Sequence, residues 1–344
     1  MPADSDDAKI ASSAEQRLQP VDAETRMARL FDVAERADAF ARKSRAENTK
    51  RAYRADWTLF RAWCRDHDLD PLPAGDRTVI LYLTDVADRY KLSTLERKLT
   101  AISQAHKTQG LESPALTSQE PLRSVWAGVA RSKTRARDKV APALTDDIRL
   151  MVESLPRSPE TDRLTLAAKR DRALLLVGFA GALRRSELVG LNVSDIGFNA
   201  DGLRLVVRQS KSDQEGRGHV KGLRYGSKPT TCPVRSLRSW LNAAGIDTGP
   251  IFRGVDRHGN VAESALTGRS VALIVKRAAD RAGLDADAYS GHSLRAGFTT
   301  QAARSGTPER IIMRHTGHKS EKMVREYIRE GRLFNDNPTE DLGL

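Results

Sequence analysis

Apolar residues recur at helical spacing from about residue 23 to 131, over 164–180 and again from about residue 267, with one alternating stretch between the last two. Met27, Leu30, Phe31 and Ala34 share one face of a helix that begins near Ala23. The capping box Ser44-Arg-Ala-Glu47 opens a second helix. Its stripe is Tyr53, Trp57, Phe60 and Cys64, with Lys50, Arg51, Arg54 and Arg61 off that stripe. Asp70-Pro71-Leu72-Pro73 breaks it, and the spacing predicts further helices over 77–90, 94–107 (stopped by Gly110) and 121–131. Thr145 is the expected N-cap of the second half, and 164–180 forms a strongly apolar helix ending near Gly181. Residues 203–209 (LRLVVRQ) alternate and are β-branched, so they read as a strand, with 219–225 (HVKGLRY) as its hairpin partner. Helices follow over 267–282, 292–305, 309–313 and 320–330. The expected fold is mainly α: an all-helical first domain, then a mixed α/β domain, mostly helical with a small antiparallel sheet.

A chain of 344 residues has room for two cores. The expected boundaries are a polar, disordered arm over 1–20, a helical domain over 21–132, a basic linker over 133–144, a second domain over 145–331 and a tail over 332–344. The tail carries Leu333, Phe334, Leu342 and Leu344, too few apolar groups for a core. No apolar run is long enough to span a bilayer and no signal peptide is evident, so a cytoplasmic location and no membrane partner are expected. Cys64 and Cys232 are far apart and form no CxxC, so neither a disulfide nor a zinc site is expected. Charge changes the picture more: 57 Lys and Arg against 45 Asp and Glu give +12, the electrostatic footprint of a nucleic-acid partner.

The chemistry-bearing residues lie in four separate pieces of the second half. In GALRRSEL, Arg184 and Glu187 are three apart and share a helical face, which alone reads more readily as a surface ion pair than as a site. Lys211 sits at the tip of the polar loop between the two strands, where a lysine is ordinarily just solvated. In HSLRAG, His292 and Arg295 can meet one anion together, the imidazole moving a proton and the guanidinium neutralising charge. In TGHKSEKMVREYI, Met323, Val324, Tyr327 and Ile328 form a helical stripe on which Tyr327 could be ordinary core. Ser320 is a suitable N-cap there, so the helix starts after His318 and the His318 and Tyr327 side chains can converge.

Arg184 in LRxSEL, Lys211 in a hairpin, His292-x-x-Arg295, Gly317-His318 and then Tyr327, in that order, resemble the signature of the tyrosine recombinase (phage integrase) family. The first half extends the resemblance, since ENTKRAY…FRAWC and LSTLERKLTAISQAHKTQGL are similar to the core-binding domain of its Cre-like members. The resemblance implies a SAM-like helical core-binding domain followed by a catalytic domain of the DNA breaking-rejoining type. It also implies site-specific recombination through a 3′-phosphotyrosyl intermediate and a Holliday junction, with no metal, ATP or other cofactor. The implied partners are double-stranded DNA carrying a specific recombination site and the chain itself, as a homotetramer on two such sites. Tyr327 would be the nucleophile, and Arg184, Arg295 and His318 the phosphate ligands. Lys211 would protonate the leaving 5′-oxygen, His292 would assist proton transfer at the tyrosine, and Glu187 would orient the set. Lys50, Arg51, Arg54, Ser93 and Arg97 occupy positions similar to groove-facing ones, although a solvated helix face reads them as well. The tail over 332–344 would dock on a neighbouring protomer. A bacterial, plasmid or phage origin follows from the same resemblance.

Rival chemistries fit less well. His292, His315 and His318 lack HExxH spacing and a nearby acidic ligand, so a metal hydrolase is not expected. GHSLR is not a GxSxG elbow, and GLRYGSK lacks the order of a P-loop. A type IB topoisomerase, which uses a similar Arg, Lys, Arg/His and Tyr set, is the alternative that the motifs leave open. A DNA-binding protein without activity would have no use for the full polar set.

Overall fold

The computed structural model describes residues 47–133, 140–208, 218–318 and 320–332. The chain divides into two units, Met1–Arg137 and Asp138–Leu344. The N-terminal arm, the helix expected from Ala23, the Ser44 side of the capping box, Lys211 and the tail beyond Arg332 lie outside the described residues.

In the first unit the described helices are α1 (Glu47–Asp66), α2 (Asp76–Ala87), α3 (Leu92–Thr108) and α4 (Leu122–Ser132). The α1 stripe works as its spacing required: Phe60 and Cys64 are fully buried and Trp57 packs against the same cluster, opposite Val79, Leu83, Leu95 and Ile102. Asp56, on the inner side of α1, is buried among charges from α3 and is not left alone. Arg97 Nε donates to Asp56 Oδ2 at 2.7 Å, and Lys98 Nζ lies 3.3 Å from Oδ1. Lys98 also donates to Tyr82 Oη at 3.3 Å and sits 4.3 Å from the Tyr90 ring centroid.

The second unit contains α5 (Thr145–Glu153), α6 (Leu166–Ala180), α7 (Arg185–Val189), β1 (Ile196–Phe198), β2 (Gly202–Val207), β3 (His219–Arg224) and α8 (Pro233–Ala244). It continues with β4 (Arg253–Val255), β5 (Val261–Ala265), α9 (Gly268–Arg281), α10 (Ser293–Arg304), α11 (Glu309–Thr316) and α12 (Glu321–Gly331). The expected hairpin is present as β2 and β3, antiparallel with Leu205 opposite Lys221, and β1 adds a third strand on the far side of β2. A second, two-stranded sheet of β4 and β5 was not foreseen, because each strand is too short to show alternation.

Helix α6 is the axis of this unit. Leu174, Leu175, Leu176 and Val177 are all buried, so the helix is enclosed on every side, as its apolar sequence required. It packs on α8, α10 and α5. Sequence reading passed over α8, although its Pro at the first turn and the spacing of Val234, Leu237, Trp240 and Leu241 are legible signals. Trp240 is fully buried there and donates Nε1–H to Ile251 O at 2.8 Å. Helix α5 starts one residue earlier than expected. Thr145 is its first residue, and Asp147 accepts from the Leu144 N–H at 2.9 Å, which does the capping that was expected of Thr145.

The end of the segment expected as linker packs on the second unit. Ala141 N–H donates to Ala288 O at 2.7 Å and Ala143 N–H to Ser293 O at 3.0 Å. Ala143 is fully buried, and a Cβ on Gly297 would overlap its carbonyl. Glycine at 297 is what lets this backbone lie against α10, two residues from Arg295. Gly297→Ala should therefore lower unfolding free energy by about 2 kcal/mol or more, read from the urea midpoint of the full chain.

Candidate active site

The site is built on the turn that ends α6. Gly181 closes the helix with its N–H on Val177 O at 2.9 Å. Ala182 then turns the chain at φ 46°, a left-handed conformation that costs a non-glycine residue of the order of 1 kcal/mol. The last carbonyls of a helix have no partner within it and carry its negative dipole end. Here three successive ones take side-chain donors from three other elements. His315 Nε2 of α11 lies 2.8 Å from Ala180 O, Lys221 Nζ of β3 lies 2.7 Å from Gly181 O, and Arg295 Nη1 of α10 lies 2.7 Å from Ala182 O. His315 is braced further by stacking on Phe298, with centroids 4.6 Å apart.

Two residues beyond that turn, Arg184 is the N-cap of α7 in extended backbone. Glu187 is buried and grips Arg184 at both ends. One carboxylate oxygen accepts the Arg184 backbone N–H at 2.9 Å and the other accepts Nη1 at 2.6 Å. This fixes the guanidinium by a charge-assisted bond and leaves its remaining donors for another anion. Arg295 is 2 % exposed, and with Nη1 spent on Ala182 its Nη2 has no partner among the described residues. Burial, reinforced by the positive charge of Arg184, lowers the Arg295 pKa to about 10.

His292 is the N-cap of α10, and its Nε2 lies 3.1 Å from Tyr327 Oη. Desolvation, then Arg295, Arg185 and Arg184, lower its pKa, so at neutral pH it is an uncharged imidazole able to accept a proton. Tyr327 is half-buried on α12, and burial raises its pKa; Arg295 opposes that, while Glu326 and Glu330 add to it. The phenol therefore keeps its proton in the DNA-free protein. His318 follows the left-handed Gly317 that ends α11, and its ring centroid is 6.4 Å from that of Tyr327. It is buried, with Nδ1 2.7 Å from Thr316 Oγ1, whose hydroxyl also reaches Ile312 O at 2.8 Å. Burial, followed by the charge of Arg295, Arg184, His292 and Lys221, lowers its pKa to about 3.

Helix α12 begins after Ser320, as expected, which is why His318 and Tyr327 meet. Val324 is fully buried against Ala303 of α10 and Ile312 of α11, with Ile328 beside it. Met323, expected on the same anchor, is 47 % exposed. The cluster is only one stripe wide, and Met323 precedes Val324 by about 100° around the helix. Gly331 closes the contact, since a Cβ there would come 2.8 Å from Thr300 O of α10.

Six of the seven expected catalytic residues thus converge: Arg184, Glu187, His292, Arg295, His318 and Tyr327. The seventh, Lys211, lies outside the described residues. Of the five candidate DNA contacts, Arg51, Arg54 and Ser93 are exposed in the first unit and Lys50 is half-buried. Arg97 is held by Asp56. Sequence reasoning missed Lys221, His315 and Thr316. For Lys221 a signal existed: it precedes buried Leu223 by two residues and so shares the inner face of β3, while Val220 is 53 % exposed.

The model of the phage integrase family matches residues 149–332, more than half of the chain and the whole of this site. The chain belongs to the phage integrase family. It is 39% identical over 296 residues to an integrase/recombinase XerD homolog of Selenomonas ruminantium, covering 86% of this chain and 85% of that protein. It is 25% identical over 334 residues to the recombinase Cre of Escherichia phage P1, covering 90% of this chain and 91% of that one. A solved structure of the XerH site-specific recombinase, bound to a palindromic difH substrate in a post-cleavage complex, shares the fold with a TM-score of 0.58 at 16% identity. That superposition covers 78% of this chain and 73% of the other. The tyrosine site-specific recombinase assignment drawn from the motifs therefore holds, and these relatives give the topoisomerase alternative no support.

In this recombinase the buried histidines make stability depend on pH. The His318 imidazole binds a proton near 6.5 when unfolded but near 3 when folded, so acid between those values favours unfolding. The stability is complete above pH 6.5 and is lost as pH falls toward the folded value. At pH 5 this group alone should cost about 2 kcal/mol relative to pH 7. Urea unfolding at the two pH values should show the loss, and His318→Gln should flatten it.

Proposed function

We propose that Tyr327 attacks a DNA phosphodiester bound by Arg184, Arg295 and His318. The observation that carries this reading is the 3.1 Å contact of His292 Nε2 with Tyr327 Oη, in the same site as buried Arg295, whose Nη2 has no partner among the described residues. A phenol is a weak nucleophile near pH 7 because its proton leaves only near pH 10. Neutral His292 takes that proton as the tyrosyl oxygen bonds to phosphorus. The two guanidiniums meet the charge that grows on the non-bridging oxygens, where fixed donors are worth most. The Thr316 hydroxyl gives its proton to Ile312 O and accepts from His318 Nδ1–H, so His318 adds a donor at Nε2 once the bound phosphate brings a second proton to the ring. Lys211 delivers a proton to the departing 5′-oxygen. The products are a 3′-phosphotyrosyl link and a free 5′-hydroxyl. The phosphodiester energy is retained, so a second 5′-hydroxyl can reverse the step on a new partner strand without ATP or metal.

The substrate is double-stranded DNA with a specific recombination site, as the net charge and the named relatives support. Four protomers on two such sites exchange strands pairwise through a Holliday junction, with residues 332–344 docking on a neighbouring protomer. Lys50, Arg51, Arg54 and Ser93 contact the duplex, the lysine at phosphate and the arginines at base edges. Arg97, already paired with Asp56, contributes one face of its guanidinium at most. Among the described residues no helix is long and apolar enough to cross a membrane, which accords with a cytoplasmic enzyme of bacterial, plasmid or phage origin.

Incubation with candidate host DNA, followed by sequencing of covalently trapped fragments, tests the reading. Wild type should give one recurring sequence, with or without chelator, and Tyr327→Phe should give none. Covalent complexes formed by the Phe variant, or activity lost to chelator and restored by metal, would overturn it. Arg295→Lys should fold but cleave about 10²–10³-fold more slowly, because a bidentate donor becomes a point charge.

A further inference from the structure

Lys221 has no part in the mechanism above, yet it is among the most enclosed charges in the second unit. It lies on the inner face of β3, is 4 % exposed, and spends one donor on Gly181 O at 2.7 Å. The charged groups that act on it come from every side. Glu187 of α7 attracts it, while Arg295 of α10 and Arg184 ahead of α7 repel it. Lys221 acts in turn on His315 of α11 and on His318 in the loop beyond. Lys221, Arg184 and Arg295 are thus coupled electrostatically around one buried carboxylate, Glu187, that already gives both oxygens to Arg184. The cluster holds more basic groups than its one carboxylate can balance. Burial, more than any single neighbour, brings the Lys221 pKa down to about 7, so its charge is readily changed by what binds nearby.

We propose that Lys221 is a positioning residue of the phosphate site, a buried amine that takes up a proton when an anion binds Arg184 and Arg295 and then tightens their hold on it. This rests on the reading of those two arginines as phosphate ligands. Binding and protonation are linked reciprocally. If the bound anion raises the Lys221 pKa by about one unit, the protonated lysine strengthens anion binding about tenfold. The effect belongs to the charged form, so it is present below the pKa and fades as pH rises above it. The hydrogen bond to Gly181 O, by contrast, is available to the neutral amine as well. A role confined to that tether would not vary with pH in this way.

Inorganic sulfate, which does not titrate near neutral pH, serves as the probe, added to the full chain in a calorimeter. Lys221→Gln keeps a donor for Gly181 without the charge. It should bind sulfate about tenfold more weakly than wild type at pH 6.5, and the gap should close at pH 9. At pH 8, above the imidazole range, wild type should take up protons on binding, seen as a heat that depends on the buffer's ionisation enthalpy. The variant should not. A gap that is the same at both pH values, or equal binding at pH 6.5, overturns the proposal. Should the variant fail to fold, absence of proton uptake by wild type at pH 8 overturns it as well. Arg184→Ala separates the two ideas: sulfate binding unchanged by that substitution contradicts the site itself, whereas binding lost there and unaffected by Lys221→Gln contradicts only the role of the lysine.

Discussion

The site depends on the unpaired carbonyls at the end of one buried helix. Ala180, Gly181 and Ala182 each receive a donor from a different element, α11, β3 and α10. A helix end buried without such partners would be costly, so these contacts stabilise the turn while fixing the elements that approach it. The left-handed Ala182 then sends the chain directly into Arg184 and Glu187. Arg295 is thereby held by the same turn that places Arg184, and their alignment does not rely on mobile loops. Gly297 and Gly331 support this by letting Ala143 and α12 lie close against α10.

Electrostatics divides the work between the free and the occupied site. Burial keeps the Tyr327 proton in place and His318 uncharged, desolvation and the neighbouring arginines keep His292 uncharged, and Arg184 with buried Arg295 has more positive charge than Glu187 can balance. Under the proposed function, a phosphodiester balances that positive charge, and the chemical step adds more negative charge on the same oxygens. Fixed donors in a dry site favour that redistribution without reorganising. On that proposal, Tyr327 stays protonated until the backbone of DNA arrives.

Much of this was legible in the sequence, for reasons that particular residues make plain. Arg184 with Glu187, and His292 with Arg295, announce themselves by a spacing of three. The structure makes Arg184 and His292 the N-caps of α7 and α10, however, so Glu187 reaches Arg184 from the N3 position rather than along a helical face. Ser320 marks where α12 begins, and so foretells that His318 and Tyr327 meet. Phe60 and Cys64 follow from periodicity alone. The contacts that tie these pieces together were not legible. Lys221 and His315 reach backbone carbonyls at the end of α6, Gly181 O and Ala180 O, and a carbonyl has no signature in sequence. Arg97 looked free until Asp56, forty-one residues earlier, proved to face it across α1 and α3. Met323 was misplaced because a stripe gives the direction of a helix face but not the width of the surface it meets. Helix α8 was overlooked although its pattern was clear.

The central claim is that the Tyr327 oxygen forms the bond to DNA. Its most direct test is peptide mass spectrometry of the trapped complex after nuclease digestion. The account predicts a nucleotide joined through its 3′-phosphate to Tyr327 and to no other residue. A nucleotide on another side chain, or one joined through a 5′-phosphate, would contradict it.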